Sequence, residues 1–286
     1  MKADADNHVH SKYSECCHEN YDLETIIRIQ SENGMKYACV TDHIHTDADT
    51  GGLSEHFRYL KANPVTVEKI KVYIGAELTF TDHEGNVPLP FLESGEQPDF
   101  LTGGCHSIPG YDVSMGDIEK ARLKLKCMTD KEFIDFTDVH RRMVKGAVEK
   151  GLINILAHPF DLFFRCGIYD SRLLDNFQSI ARICRKNDIA VEINNASAGR
   201  CISTPENHTE YNKYCIRPAD FYLKMINIAV EENVIFSTGS DAHVEISIGR
   251  MEYCEEIIKK TGIDHSKLFY LDNGVDNKRY LTRDEP

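Results

Sequence analysis

The sequence predicts an α/β protein whose parallel strands close into a TIM-like barrel. Two observations predict this fold: short apolar, β-rich runs alternate with longer stretches of helical periodicity, and there are seven such runs. The 286 residues suit one large barrel or two ordinary domains. Because no linker, repeat or change of composition divides the chain, we predict one domain over residues 1–286.

The predicted elements follow one another in a regular order. The strands are residues 3–9, 36–41, 70–77, 100–105, 153–157, 188–193 and 234–238. The helices are residues 22–33, 53–62, 117–126, 130–150, 171–187, 218–232 and 250–260. Asp22 is a suitable helix start, and Gly151 and Gly262 are suitable helix stops. The irregular stretches 79–116 and 194–217 both follow strands, so we expect them to form active-site loops of the barrel.

Charge and composition limit the classes of partner. The formal net charge of −13, from 33 basic and 46 acidic residues, argues against general nucleic-acid binding. It leaves a small phosphorylated substrate open, since bound metal can reverse the local field. Neither a membrane-spanning run nor an apolar leader is present, so we expect a cytoplasmic protein without membrane association. The ten cysteines show no disulfide or zinc-knuckle spacing, and we expect reduced thiols.

Histidines and carboxylates stand at the ends of six of the seven predicted strands. His8 and His10 are two residues apart, which puts both rings on one face of a strand. The C-terminal ends of parallel barrel strands open on one face, so these side chains should converge. Imidazoles and carboxylates are ligands for zinc, iron and manganese. Buried structural histidines would explain one or two of these positions but not the whole set.

Six short motifs carry these residues in order along nearly the whole chain. They are His8-Val-His10, Thr41-Asp42-His43, Gly75-Ala76-Glu77, Cys105-His106-Ser107, Ala157-His158-Pro159 and Gly239-Ser240-Asp241-Ala242-His243. The series resembles the polymerase-and-histidinol-phosphatase (PHP) family of metal-dependent phosphoesterases, and the surrounding sequence is most similar to its histidinol-phosphate phosphatase branch. The resemblance implies a distorted (β/α)7 barrel with a metal site at the C-terminal face of the strands.

The resemblance also implies three divalent ions, which would be zinc, manganese or iron. The implied ligand sets are His8, His10, Glu77 and Asp241 for the first ion, Glu77, His106 and His158 for the second, and His43 and His243 for the third. Glu77 bridges the first two ions. A residue of the loop after the first strand completes the third set, and we favour His18 over Glu15 and Cys16.

Such ions suit the hydrolysis of a phosphate ester by a metal-activated hydroxide, with no side-chain nucleophile. The residues predicted to be catalytic are Glu77, Asp241 and His243. Glu192 is expected to orient a metal-bound histidine, although an ion pair at a strand end is the alternative. His45, His83 and His140 are excluded as ligands, because solvated or core positions are commoner for isolated histidines.

Loop arginines are the candidates for binding the phosphate. Arg165 and Arg200 follow metal-bearing or neighbouring strands, and a guanidinium binds phosphate with two donors, so we predict both as phosphate ligands, with Arg250 next. A water on the metal or Asp161 would protonate the leaving alcohol, and the sequence leaves both open.

The function predicted from the sequence is phosphomonoester hydrolysis of a small metabolite, with L-histidinol phosphate as the favoured substrate. A PHP-type phosphodiesterase or nucleotide phosphatase is the enzymatic alternative. A metal-binding regulatory module is the non-enzymatic one, and the nearly complete ligand set argues against it. The chain lacks a P-loop, which argues against nucleoside-triphosphate chemistry of the P-loop type, and it lacks a Gly-x-Ser-x-Gly elbow, which argues against a serine nucleophile of that kind. The oligomeric state is left open.

Overall fold

The computed structural model of the protein describes residues 3–64, 70–92, 96–205 and 214–273. Parts of the predicted loops, and the end of the predicted single domain, lie outside these residues. Within the described ranges, no helix combines the length and the apolar character needed to cross a membrane.

A parallel sheet of six strands forms the centre of the molecule. The strands are β1 (Tyr37–Ile44), β2 (Lys71–Thr79), β3 (Phe100–Gly104), β6 (Ile155–Leu156), β7 (Ala190–Asn194) and β8 (Phe236–Gly239). Their spatial order is β1-β2-β3-β6-β7-β8. A short antiparallel hairpin of β4 (Ser107–Ile108) and β5 (Val113–Ser114) follows β3. Helices pack outside the sheet, and the fold is a distorted TIM-like barrel, as predicted.

The first predicted strand is not a regular strand. Segment 3–10 lies between β8 and β1 and bonds to both: the Asn7 N–H donates to the Thr238 carbonyl (2.9 Å), and the Thr41 N–H donates to the Val9 carbonyl (2.7 Å). The ladder is interrupted because side chains replace backbone partners, as where the Val9 N–H donates to the Thr41 hydroxyl (3.0 Å). The segment nevertheless links the two edge strands of the sheet.

All seven predicted helices are present, with ends within two residues of those expected. The Asp22 carboxylate caps the first of them by accepting from the Thr25 N–H (3.3 Å). Two further helices, at Asp161–Arg165 and Asn195–Ser203, are not predicted by the sequence. In the described ranges the α-helices are α1 (Leu23–Glu32), α2 (Leu53–Ala62), α3 (Ile118–Lys126), α4 (Asp130–Lys150), α5 (Asp161–Arg165), α6 (Arg172–Lys186), α7 (Asn195–Ser203), α8 (Pro218–Glu231) and α9 (Glu252–Thr261).

Helix α7 corrects the prediction of an irregular loop after the sixth predicted strand. The Asn194 side chain caps the helix by accepting from the Ser197 N–H (2.8 Å). Gly199 lets the helix approach α9, since a Cβ there would lie 2.7 Å from the Tyr253 ring. Asparagine, serine and glycine are turn-formers in sequence patterns, which is why the prediction is wrong here.

Buried His140 of α4 supports the loop that follows β6. Its Nε2 lies 3.0 Å from the carbonyl oxygen of Pro159, and its ring packs against Phe160 and Phe163. Burial lowers the pKa of His140 to about 4, so the ring is neutral at neutral pH and donates this hydrogen bond.

We expect His140 to make the protein lose stability in acid. Below the ordinary pKa of 6.5, His140 binds a proton in the unfolded chain, whereas in the folded chain it stays neutral down to about pH 4. The free energy of unfolding should therefore fall over this window, by about 2 kcal/mol at about pH 5.

Denaturant titrations at about pH 7.5 and about pH 5 check this expectation. His140→Gln keeps a donor for Pro159 and should lose about 2 kcal/mol less than wild type between the two pH values. His83→Gln is the matched control, because His83 Nε2 makes the same kind of contact, 3.0 Å from the Pro109 carbonyl oxygen, on the exposed surface. An equal loss in wild type and His140→Gln would contradict the account.

Candidate metal centre

The Glu77 carboxylate lies, fully buried, among histidines at the C-terminal ends of the strands. Five imidazole nitrogens face its two oxygens. They are His158 Nε2 (2.8 Å) and His106 Nε2 (3.1 Å) at Oε1, and His43 Nδ1 (2.9 Å), His8 Nε2 (3.1 Å) and His10 Nε2 (3.5 Å) at Oε2. One carboxylate therefore stands at the centre of five of the predicted ligands.

The strands place these side chains through their register. Pairing of β1 with β2 sets His43 beside Glu77, while His106 and His158 each lie two residues after the end of a neighbouring strand, β3 and β6. His158 has a φ of 23° and Asp241 a φ of 56°, a region that residues with a side chain seldom adopt. Strained backbone of this kind is concentrated at functional sites, where the surrounding structure maintains it.

Asp241 is the second carboxylate of the group. Its Oδ1 lies 3.2 Å from His10 Nε2, 3.6 Å from His243 Nδ1 and 3.7 Å from His8 Nε2. The His243 ring is 4.3 Å from that of His10, measured between centroids. Asp241 and His243, two residues apart after β8, thus meet His8 and His10 as the strand-end argument predicts.

The donor atoms fit divalent transition metals. Five sets have ligand atoms within 4.8 Å of one another: His8, His10 and Glu77; Glu77, His106 and His158; His10, His43 and His243; His43, His45 and His106; and His8, His158 and Glu192. His8 Nε2 and Glu77 Oε2 are 3.1 Å apart, yet among the described residues neither makes a hydrogen bond of good geometry. Buried, convergent nitrogen and oxygen atoms without hydrogen-bond partners are what zinc, iron or manganese would bind. That these residues bind ions stays a prediction.

Electrostatics keep the two carboxylates and His10 in the protonation states that bind metal. Burial by itself raises the pKa of Glu77, but the charges of His43, His8 and His106 hold it well below its usual range. Asp241 is likewise held well below the usual pKa of an aspartate, against its burial, by His8 and His10. Burial and the neighbouring imidazoles of His43 and His243 lower the pKa of His10 to about 3. Both carboxylates are therefore ionised and His10 is neutral at neutral pH.

The structure does not bring His18, the favoured loop ligand, into this group. Its side chain is exposed, and only its backbone N–H reaches towards the site, donating to the His243 carbonyl (3.2 Å). The reason is a tight turn in which the Cys17 N–H donates to the Ser14 carbonyl (2.9 Å). This turn directs Cys16 inward and leaves His18 at the surface.

Cys16 lies where the loop ligand was expected. It lines the same cleft as His43 and His243, the two histidines predicted for the third ion. Burial raises the pKa of the Cys16 thiol, but its interactions with these two histidines lower it more, to about 7. Glu15, the other alternative, is exposed at the rim of the same cleft.

Glu192 of β7 contacts the group from behind. Its Oε1 lies 2.8 Å from His8 Nδ1, and its Oε2 accepts from the backbone N–H of His158 (2.8 Å). One carboxylate thereby fixes the ring of one predicted ligand and the main chain of another, which suits the orienting role predicted for it.

Asp42, a further buried carboxylate, orients His10 through the hydroxyl of Ser14. The Ser14 hydroxyl donates to Asp42 (2.7 Å) and lies 3.1 Å from His10 Nδ1, while His56 Nε2 is 2.7 Å from the same carboxylate. Asp42 belongs to a motif recognised in the sequence. Ser14 and His56 carry no sequence signal, because their contact depends on the loop after segment 3–10 and on α2.

The sequence prediction excluded His45, but the structure places it at the site. Its Nδ1 lies 2.7 Å from the Thr79 hydroxyl, which lies 2.8 Å from His106 Nδ1. Its ring stacks on that of His43 at 4.8 Å. The signal was available, since His43 and His45 show the same spacing of two as His8 and His10.

A cleft of about 620 Å³ opens over the predicted metal ligands, and Arg165 lies in its wall. The Arg165 guanidinium pairs with buried Asp161 of the same helix, α5. Arg200 lies behind, with its Nε 3.8 Å from Asp161 Oδ1, and does not line the cleft. Burial raises the pKa of Asp161, but Arg165, His158 and Arg200 bring it below the usual value, so it is ionised. An ionised carboxylate has no proton to give a leaving alcohol.

Arg250 lies outside this cleft. It lines a different cavity of about 750 Å³, formed with residues of α1 and the loop after β8, and its guanidinium is 3.8 Å from Glu252. None of the clustered metal residues lines that cavity, so the larger volume does not mark the chemistry.

Comparisons with known proteins agree with this geometry. A family model described as "PHP domain" matches residues 6–196. A probable phosphatase of Thermoanaerobacter sp. is 24% identical over 283 residues, covering 98% of this chain and 95% of that protein. A probable phosphatase of Vibrio parahaemolyticus is 22% identical over 289 residues, covering 98% of this chain and 94% of its own length.

A solved structure shares the fold. It is the histidinol phosphate phosphatase of Lactococcus lactis, in complex with zinc, L-histidinol and phosphate. The TM-score is 0.61 at 18% identity, and the match covers 91% of this chain and 94% of that one.

Proposed function

This chain belongs to the PHP domain family, and from that premise we propose that it is a metal-dependent phosphomonoesterase that acts on a small molecule. The observation that carries the proposal is Glu77, whose buried carboxylate is faced by five imidazole nitrogens. The relatives named probable phosphatases support it. We propose L-histidinol phosphate as the substrate, hydrolysed to L-histidinol and phosphate, by analogy with the Lactococcus lactis protein of the same fold.

The proposed roles follow from the contacts. Divalent ions bound here would polarise the phosphoryl group, lower the pKa of a water molecule and offset developing negative charge. Glu77 would bridge two of them through its two oxygens, with His8, His10 and Asp241 on one side. Arg165, held by Asp161 in the cleft wall, would bind non-bridging phosphate oxygens through its planar guanidinium.

For a third ion we propose His43, His243 and Cys16 as ligands. Cys16 lines the cleft with both histidines, which lower the pKa of its thiol, while His18 is exposed. A thiolate favours zinc or iron over manganese, so this loop would bias the choice of metal. The number and identity of the ions are part of the proposal.

A neighbouring cavity supports a positively charged leaving group. It has about 330 Å³, shares Glu15, His43 and His45 with the cleft, and is lined by Asp49 and Glu55 as well. Carboxylates beside the site would attract the amine of an amino alcohol and repel the further phosphates of a nucleotide. This favours a phosphorylated amino alcohol over the nucleotide and phosphodiester alternatives.

A phosphate-release screen with zinc, manganese or iron tests the proposal. Monoesters of amino alcohols should react faster than uncharged monoesters, and diesters should react least. A chelator-treated sample is the control and should be inactive. Preference for diesters would instead favour the phosphodiesterase alternative. Full metal content without turnover of any ester would favour the regulatory module.

Several expectations from the sequence stay predictions. They are the cytoplasmic location, the absence of general nucleic-acid binding and of membrane association, and the single domain over residues 1–286.

A further inference from the structure

Thr79 connects a predicted metal ligand to a histidine outside the predicted ligand sets. It is the last residue of β2, is buried, and has its hydroxyl between two ring nitrogens: His106 Nδ1 at 2.8 Å and His45 Nδ1 at 2.7 Å. A hydroxyl has one proton. Thr79 must therefore donate to one imidazole and accept from the other, so the proton positions on the two rings depend on each other.

The far nitrogen of His106 decides the direction. His106 Nε2 lies 3.1 Å from Glu77 Oε1. Without metal, Nε2–H donates to this carboxylate, so His106 Nδ1 accepts from Thr79, and Thr79 accepts from a proton on His45 Nδ1. When Nε2 is a metal ligand its lone pair is used, and the proton of His106 lies on Nδ1. Every bond of the chain then reverses, and the proton of His45 lies on Nε2.

We propose that Thr79 couples the tautomer of His45 to metal binding at His106, so that only the loaded protein offers the His45 Nε2–H to an anionic oxygen of the substrate. This inference rests on the proposed phosphatase function. Each ring keeps one proton in both arrangements, so no group changes its charge. Thr79 is a positioning residue, and His45 is the residue that would touch substrate.

The position of His45 suits this role. It lines both the metal cleft and the neighbouring acidic cavity, which places it at the border between the phosphate and the leaving group. Its backbone N–H donates to Asp49 (2.8 Å), and its ring stacks on His43, so the ring is held in place. Among the described residues, nothing forms a hydrogen bond with its Nε2. A donor there binds a phosphate oxygen, whereas a lone pair there repels it.

Nitrogen NMR of the histidine rings tests the coupling without substrate. Protein labelled with ¹⁵N-histidine is examined at about pH 8, where an ordinary imidazole is neutral, with and without bound zinc. His45→Gln identifies the His45 signals. We expect the His45 proton to lie on Nδ1 in the zinc-free protein and on Nε2 in the zinc-loaded protein.

Two substitutions of Thr79 separate the coupling from mere packing. Thr79→Val keeps the shape but removes the hydroxyl, so zinc should no longer switch His45. Thr79→Ser keeps the hydroxyl and should keep the switch. In kinetics with a phosphomonoester, His45→Ala should lower kcat/KM by about 10- to 100-fold, and His45→Gln, whose amide still donates, by less.

The outcomes distinguish the two levels of inference. A zinc-loaded wild-type protein with its His45 tautomer unchanged would overturn the coupling, as would a switch that persists in Thr79→Val. A switch without release of phosphate from any ester would keep the coupling and contradict the phosphatase function. Failure to bind any of zinc, manganese and iron would overturn both.

Discussion

Glu77→Gln is expected to remove metal and activity together. Glu77 is fully buried, and its two oxygens face five imidazole nitrogens at 2.8 to 3.5 Å. An amide has one oxygen and no charge, so it cannot bridge two cations. The loss of one shared ligand should reduce occupancy at both neighbouring ions. We expect kcat/KM to fall by about 1,000-fold or more, which corresponds to about 4 kcal/mol of transition-state stabilisation.

Elemental analysis and phosphate release on the same samples test this expectation. Glu24→Gln, at an exposed position in the first turn of α1, is the matched control and should change neither quantity. Circular dichroism checks that the Glu77→Gln protein is folded. Full metal content with normal turnover in Glu77→Gln would contradict a bridging role.

Arg165→Ala is expected to weaken substrate binding and leave the ions in place. Its guanidinium lies in the wall of the cleft, paired with Asp161, and Arg165 is not among the clustered ligands. A charge-assisted hydrogen bond to phosphate contributes about 1.5–3 kcal/mol, so kcat/KM should fall by about 10- to 100-fold. If the contact is equally strong in ground and transition states, the loss appears mainly in KM.

Arg200→Ala provides the comparison. The sequence predicted equal roles for the two arginines, but Arg200 does not line the cleft and approaches Asp161 from behind at 3.8 Å. We therefore expect a smaller loss than for Arg165→Ala, again with unchanged metal content. Unchanged kinetics in Arg165→Ala would remove it from the phosphate site.

The strand-end ligands are predictable because one short motif places each of them. His8 and His10 share a face of segment 3–10, and Glu77 lies two residues before the end of β2, so the parallel order of the strands brings them together. The loop ligand is not predictable in this way. Whether Cys16 or His18 points inward depends on a turn whose Ser14 hydroxyl bonds to Asp42, a contact between residues 28 positions apart.

The same limit explains the residues that the sequence missed. Thr79 has no unusual neighbours in the sequence, and its role follows only from the imidazoles on either side of its hydroxyl. The sequence predicts a loop where helix α7 lies, because asparagine and glycine favour turns, whereas Asn194 caps the helix and Gly199 packs against Tyr253. The role of Thr79 and the helical conformation of α7 both depend on contacts with residues distant in the sequence.

Anomalous diffraction from crystals of the zinc-loaded protein, collected on both sides of the zinc absorption edge, tests the central claim most directly. The account predicts at least two zinc peaks about 2.0–2.3 Å from ligand atoms, sharing the Glu77 carboxylate. One peak should lie against His8, His10 and Asp241, and the other against His106 and His158. Zinc bound only at surface residues, with no peak at Glu77, would contradict it.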